Sequence, residues 1–186
     1  IDACLVGSEM CIRDRFYAVS KRTNELMAHA YSNLYGTECI GLRFFTVYGP
    51  WGRPDMALFK FTKNILEDKE IDVYNNGNHS RDFTYVDDIV EGIYLSSISK
   101  KELIDSSFDS KDPSRSFCKS IIFNLGRGKP ENLEDFIVEI ENNLGKTAKR
   151  NLMPLQPGDV PDTSADISNL KDFSGYEPKT SIKIGV

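Results

Sequence analysis

The sequence is poor in the residues that most often build metal and redox centres. It has two histidines, His29 and His79, far apart and without a ligand-like neighbour pattern. Its four cysteines, Cys4, Cys11, Cys39 and Cys118, form no C-x-x-C pair, so neither a zinc ribbon nor a redox dithiol is expected. No apolar run approaches the roughly 18 residues that cross a bilayer as a helix. Positive charge is in deficit: 23 Lys and Arg stand against 28 Asp and Glu, a net charge of −5. A general nucleic-acid binder needs net positive surface to displace counterions, so that class is disfavoured. There is no internal repeat and no low-complexity segment. A cytoplasmic, reduced, metal-free protein is the expectation.

What is present is globular in kind, 40% apolar and 27% charged. The 186 residues suit one domain of ordinary size. The chain opens IDACLVGSEMCIRDR. It lacks the basic segment and apolar core of a secretory signal. CLVGSEMCIRDR resembles a translated sequencing-adapter artefact, so residues 1–15 are expected to be non-native; a short native lead-in strand is the alternative. The final PKTSIKIGV stops within an apolar pattern, so a cut is expected there too.

Periodicity predicts a helix from Phe16 to Tyr35 with an apolar stripe of Leu26, Met27, Ala30 and Leu34, stopped by Gly36. A buried strand follows from Cys39 to Phe45, then a loop TVYGPWGRPD. Met56–Asp68 reads as helix, Ile71–Tyr74 as strand, NNGN as turn and Arg81–Tyr85 as strand. Asp87 is expected to cap a helix reaching about Ser99, with the Asp87-Asp88 pair facing the helix dipole. Lys100–Lys119 reads as a surface insertion, Ser120–Leu125 as strand, and Asn132 as the cap of a helix ending at Leu144. Alternating strands and helices predict an α/β protein with a mainly parallel sheet. Ligands of such sheets sit at the carboxyl ends of strands, where the TVYGPWGRPD loop lies.

Tyr17-Ala-Val-Ser-Lys21 places two functional side chains four residues apart, on one helix face. A free tyrosine ionises near pH 10, too high for a base at neutral pH. A neighbouring ammonium favours the phenolate, which is the chemical sense of the pairing. Alone the spacing is common, and an exposed Tyr and Lys on a solvated face is the plain alternative. Gly126-Arg-Gly128 begins like a dinucleotide loop, but Glu131 stands where glycine is needed and the strand before it is late in the chain. His29 reads as a half-buried helix residue and His79 as a turn residue, neither with a role.

Three segments change the weighing: YAVSKRTNELMAHAYSNLYG, LRFFTVYGPWGRPDMALFKFTK and IDVYNNGNHSRDFTYVDDIVEGI. In order and approximate spacing they resemble the NAD-dependent epimerase/dehydratase family, the extended short-chain dehydrogenases/reductases. Within it they are most similar to UDP-glucuronate 4-epimerases. The resemblance implies the C-terminal part of a Rossmann-type doubly wound parallel sheet, interleaved over residues 16–186 with a smaller α/β nucleotide-sugar-binding domain. It implies NAD as cofactor, a UDP-sugar as substrate and a homodimer, with polysaccharide supply as the context.

The resemblance also distributes roles. Tyr17 becomes catalytic base and acid, and Lys21 its activator and ribose ligand. Phe44 and Phe45 bring backbone to the nicotinamide, their side chains expected in the core. Thr46 meets the sugar, against the plain alternative of a loop hydroxyl bonded to backbone. Arg53 is a candidate for the anionic sugar, Tyr74 for stacking uracil, Arg81 for the diphosphate and Asp159 for the uridine ribose. Bidentate guanidinium–phosphate pairing is why arginine suits the diphosphate; a salt bridge from Arg81 to Asp82 or Asp87 is the alternative. Gln156 stands where the glucose epimerases favour arginine, which fits a glucuronate. Oxidation of a uronate at C4 gives a β-keto acid that can lose CO2, so the carboxylate must be clamped, and Thr46 is expected to help, with Arg53 a weaker helper.

No G-x-x-G-x-x-G loop occurs in the sequence, and the Ser/Thr partner of the tyrosine is absent. The chain is therefore expected neither to bind NAD tightly nor to turn over by itself. The competing readings are another epimerase, dehydratase or decarboxylase of the family, or a catalytically silent nucleotide-sugar-binding module.

Overall fold

A computed structural model describes residues 16–103, 117–156 and 159–186. The adapter-like segment 1–15, residues 104–116 of the predicted insertion, and residues 157–158 lie outside the described residues. The elements begin with α1 (Phe16–Tyr35), β1 (Cys39–Phe44), β2 (Thr46–Tyr48), α2 (Ala57–Leu66) and β3 (Glu70–Val73). β4 (Ser80–Arg81), β5 (Phe83–Tyr85), α3 (Val86–Ile98), β6 (Ser120–Leu125) and β7 (Glu131–Asn132) follow. The chain closes with α4 (Leu133–Leu144), β8 (Lys149–Leu152), α5 (Ser168–Ser174) and α6 (Ile182–Gly185). Where length suggested one domain, the chain forms two compact units. The first holds the chain up to Phe44, Glu91–Leu125 and Asp166–Tyr176; the second holds Phe45–Val90, Gly126–Ala165 and Glu177–Val186.

In the first unit β1 and β6 run parallel, from Cys39 beside Ser120 to Phe44 beside Leu125. Ile121, Phe123 and Leu125 alternate into the core, the period-2 signature of a pleated strand. Gly92 lies where a Cβ would come 2.4 Å from a Leu125 methyl, so only glycine permits that approach. The apolar stripe of α1 faces outward. Leu26, Met27 and Leu34 are 59%, 54% and 71% exposed, whereas Ser32 is buried and Arg22, Glu25 and His29 are half-buried. The inward face is polar because it is held by charge. Arg43 on β1 donates two hydrogen bonds, 2.7 and 2.9 Å long, to the Glu25 carboxylate, and Arg22 donates a third. Burial opposes the Glu25 charge, yet these arginines outweigh it and hold the carboxyl below its ordinary range.

The second unit contains three two-stranded ladders. β2 pairs with β5 and β3 with β8, both parallel, and β4 pairs antiparallel with β7. Its core is aromatic: Phe83 stacks on Phe136 at 4.1 Å between ring centres, and Tyr48 meets both edge-on. Such contacts add roughly 0.5–1.5 kcal/mol per pair beyond area burial. Phe61, Ile65, Ile137 and Ile140 complete it from α2 and α4.

Several local expectations are corrected here. Thr46–Tyr48 is strand rather than loop, because its ladder partner Phe83–Tyr85 is far away in sequence. The predicted strand Arg81–Tyr85 breaks at Asp82, whose side chain binds elsewhere while its carbonyl accepts the Thr46 N–H. α3 starts at Val86, so Asp87 lies inside its first turn. Asn132 is the N-cap of α4 but makes no side-chain cap bond; Glu134 and Asp135 face the helix dipole instead. Asn75 and Asn76 both have φ 51° and Gly77 has φ 82°, the left-handed turn that an Asn-Asn-Gly run tolerates best. Among the described residues no helix is long and apolar enough to cross a membrane.

Candidate functional site

In the first unit, Tyr17 and Lys21 lie on one exposed face of α1. The Lys21 ammonium nitrogen is 5.1 Å from the centre of the Tyr17 ring, and Tyr17 is 69% exposed. The Glu25–Arg43 bridge lies one turn further along the helix. The Phe44 side chain is 51% exposed, which corrects the expectation of a core residue, and Phe45 is half-buried.

In the second unit, Arg81 and Asp159 meet directly. Arg81 Nη2 donates to Asp159 Oδ1 at 3.2 Å, and Arg81 Nη1 donates to the Pro161 carbonyl at 2.6 Å. The partner of Arg81 is therefore Asp159, not Asp82 or Asp87. Burial pulls the Arg81 guanidinium below its ordinary pKa while Asp159 and Asp162 push the other way. Tyr74 is half-buried and opens the left-handed turn; the turn is tied to the next layer by Asn76 N–H donating to Met153 O at 3.0 Å. β4 and its turn thus present Tyr74 and Arg81 from one stretch of chain.

Thr46 and Arg53 belong to a different part of this unit. With Trp51, Tyr48, Phe83 and Phe136 they line a cavity of about 890 Å3, large enough for a small-molecule ligand. Tyr74, Arg81 and Asp159 do not line it. Thr46 sits in the ladder opposite Phe83, and its N–H donates to Asp82 O at 3.1 Å. Arg53 is exposed and paired with Asp55. Trp51 has φ 62° in a turn closed by Gly52 N–H to Gly49 O, an uncommon conformation for a bulky residue, and it is fully exposed. Burial pushes the Tyr48 hydroxyl up to about 12, so it lines the cavity as a neutral phenol.

Three residues escaped the sequence reading. Asp82 is fully buried, and its carboxylate accepts from Arg127 N–H at 2.7 Å, Gly128 N–H at 2.9 Å, Ala165 N–H at 3.0 Å and the Thr84 hydroxyl at 3.0 Å. The Arg127 and Gly128 N–H groups of the Gly126-Arg-Gly128 loop are thus engaged by the protein's own carboxylate. Asp88 is buried and accepts from the N–H groups of Lys179 and Thr180, so it anchors the C-terminal segment rather than serving only the helix dipole. His79 is buried against Pro161 and Asp159. Apart from Thr84, these partners are distant in sequence, so no local pattern announced them.

Comparison with known proteins places the chain among relatives of one family. The chain is 54% identical over 173 residues to the protein CapI of Staphylococcus aureus, covering 91% of this chain and 51% of that protein. It is 43% identical over 174 residues to UDP-glucuronate 4-epimerase 2 of Arabidopsis thaliana, covering 91% and 39%. Among solved structures it superposes with a TM-score of 0.77, at 33% identity, on UDP-glucuronic acid 4-epimerase from Bacillus cereus in complex with UDP-glucuronic acid and NAD, covering 91% and 49%. The chain thus spans about half the length of CapI and of this structure, and less of the plant protein. A profile of the NAD dependent epimerase/dehydratase family matches residues 8–103, more than half of the sequence, and the chain belongs to that family.

Proposed function

We propose that this chain is the nucleotide-sugar-holding part of a UDP-glucuronate 4-epimerase, which interconverts UDP-glucuronate and UDP-galacturonate. The observation that carries the reading is the contact of Arg81 with Asp159 beside the Tyr74 turn. These are the residues that the family resemblance gives to the diphosphate, the uridine ribose and the uracil. The relatives named as UDP-glucuronate 4-epimerases support the choice of sugar.

The Tyr17–Lys21 face supports a place for one end of NAD. The Tyr17–Lys21 face is open and its ammonium lies over the phenol ring, as a pair serving a bound ribose and a reacting hydroxyl requires. When bound, NAD supplies reversible removal of hydride from the sugar C4. Tyr17 takes the proton of the C4 hydroxyl and returns it, and Lys21 favours the phenolate while this happens. Thr46 and Arg53 hold the sugar carboxylate. Arg81 neutralises the diphosphate through charge-assisted hydrogen bonds. The same reading carries a cytoplasmic enzyme acting as a homodimer.

The test is formation of UDP-galacturonate from UDP-glucuronate by a full-length enzyme carrying residues 16–186, with the Tyr17→Phe variant beside it. The reading expects turnover in the parent and its loss in the variant. UDP-glucuronate returned unchanged by the parent, or converted to a 4-keto pentose with loss of CO2, would select the silent module or the decarboxylase.

A further inference from the structure

The surroundings of His79 hold an unbalanced proton. The residue is 5% exposed, on the short segment between the Asn-Asn-Gly turn and β4. Its Nδ1 lies 3.2 Å from the Pro161 carbonyl, and a carbonyl can only accept, so Nδ1 carries the hydrogen. In a neutral ring Nε2 is then a bare acceptor. Nε2 is buried without a hydrogen-bond partner among the described residues, and 3.5 Å away it faces Asp159 Oδ2, a second acceptor. Two acceptors facing each other, with the ring nitrogen buried, are unfavourable; one added proton turns the contact into an ion pair.

The other charges around the ring are accounted for. Arg81, two residues along, holds the opposite oxygen of the same carboxylate. Asp162 lies on the segment bridged to Ser80. The His79 carbonyl accepts the Leu133 N–H at the start of α4, where Glu131 is paired with Arg127 and Glu134 with Arg150. Asp159 therefore has two cationic partners available, one permanent and one that depends on a proton.

We propose that His79 is a positioning residue for Asp159, and that binding of the nucleotide diphosphate draws a proton onto its Nε2. The diphosphate competes for the Arg81 guanidinium. As Arg81 turns to phosphate, Asp159 loses its permanent cation, and the His79 imidazolium replaces it and keeps the carboxylate set for the ribose hydroxyls. The proton comes from solvent and no bond other than N–H is made. This rests on the assignment of Arg81 and Asp159 to the nucleotide.

The experiment is calorimetric titration of the purified chain with UDP as its glucuronate ester, whose diphosphate lacks the terminal phosphate ionisation near pH 6, in two buffers of different ionisation enthalpy, at pH values from about 6 to 8. The parent is expected to take up a fraction of a proton per UDP-glucuronate bound, and to bind several-fold more tightly at the acid end. His79→Gln, which keeps a donor toward Pro161, is expected to show no uptake through this ring and a flat pH profile. Asp159→Asn is a second variant that removes the partner and is also expected to lose the uptake. Proton uptake equal in parent and His79→Gln would overturn the proposal while leaving the nucleotide site standing, as would zero uptake in the parent. No binding of UDP-glucuronate at millimolar concentration would overturn the site assignment, and the proposal with it.

Discussion

Arg81 and Asp159 are 78 residues apart in sequence and 3.2 Å apart in space, and the Pro161 carbonyl receives a hydrogen bond from the same guanidinium. A diphosphate that takes this guanidinium competes for it with the Asp159 carboxylate, charge against charge. The contact is also why one substitution on β4 reaches a segment near the far end of the chain.

Arg81→Lys keeps the charge and loses the planar fork. It is expected to weaken UDP binding by about 1.5 kcal/mol, roughly tenfold, without unfolding the chain. Calorimetric affinity, read beside far-ultraviolet circular dichroism, checks both halves.

Asp82→Asn is expected to destabilise the chain by about 2–3 kcal/mol. The amide cannot accept on its nitrogen side, so one or more of the Arg127, Gly128 and Ala165 N–H groups is left buried without a partner. A drop in the urea midpoint with an unchanged slope is the expected signature.

The Glu25–Arg43 bridge makes a pH prediction. The folded carboxyl of Glu25 lies below its ordinary value of 4.5, so its stabilisation is present above that pH and is lost as pH falls through the folded value. Glu25→Gln is expected to cost about 1–2 kcal/mol at pH 7. The gap between parent and variant closes as the solution is taken well below pH 4.5, measured by urea unfolding at each pH.

Thr46→Val preserves a β-branched residue in the β2–β5 ladder, so stability is expected to change by less than about 1 kcal/mol. In a full-length enzyme the same change is expected to raise release of CO2 from UDP-glucuronate relative to epimerisation. Trapping of labelled CO2 reads the ratio directly.

Much of the architecture was legible because it is local. The limits of α1, of β6 and of the Asn-Asn-Gly turn followed from periodicity and turn chemistry alone. The misreadings share one cause, a partner distant in sequence. The Leu26, Met27 and Leu34 stripe was legible as helical periodicity but not its direction, since Arg43 on the next strand draws the Glu25 face in. TVY looked like loop because its strand partner lies beyond the following helix and strand. Asp82 looked like one more ladder residue, but the N–H groups it serves come from two later segments. The motifs around Tyr17, Thr46 and Arg81 were readable as family signatures, while the proton balance at His79 needed the fold.

The most direct measurement for the account is titration of the purified chain with UDP, followed by calorimetry. The account predicts saturable binding of one UDP per chain, weakened about tenfold in Arg81→Lys. A chain that is folded by circular dichroism yet gives no heat with UDP, or binds it equally well without the guanidinium fork, would contradict the assignment of this unit to the nucleotide sugar.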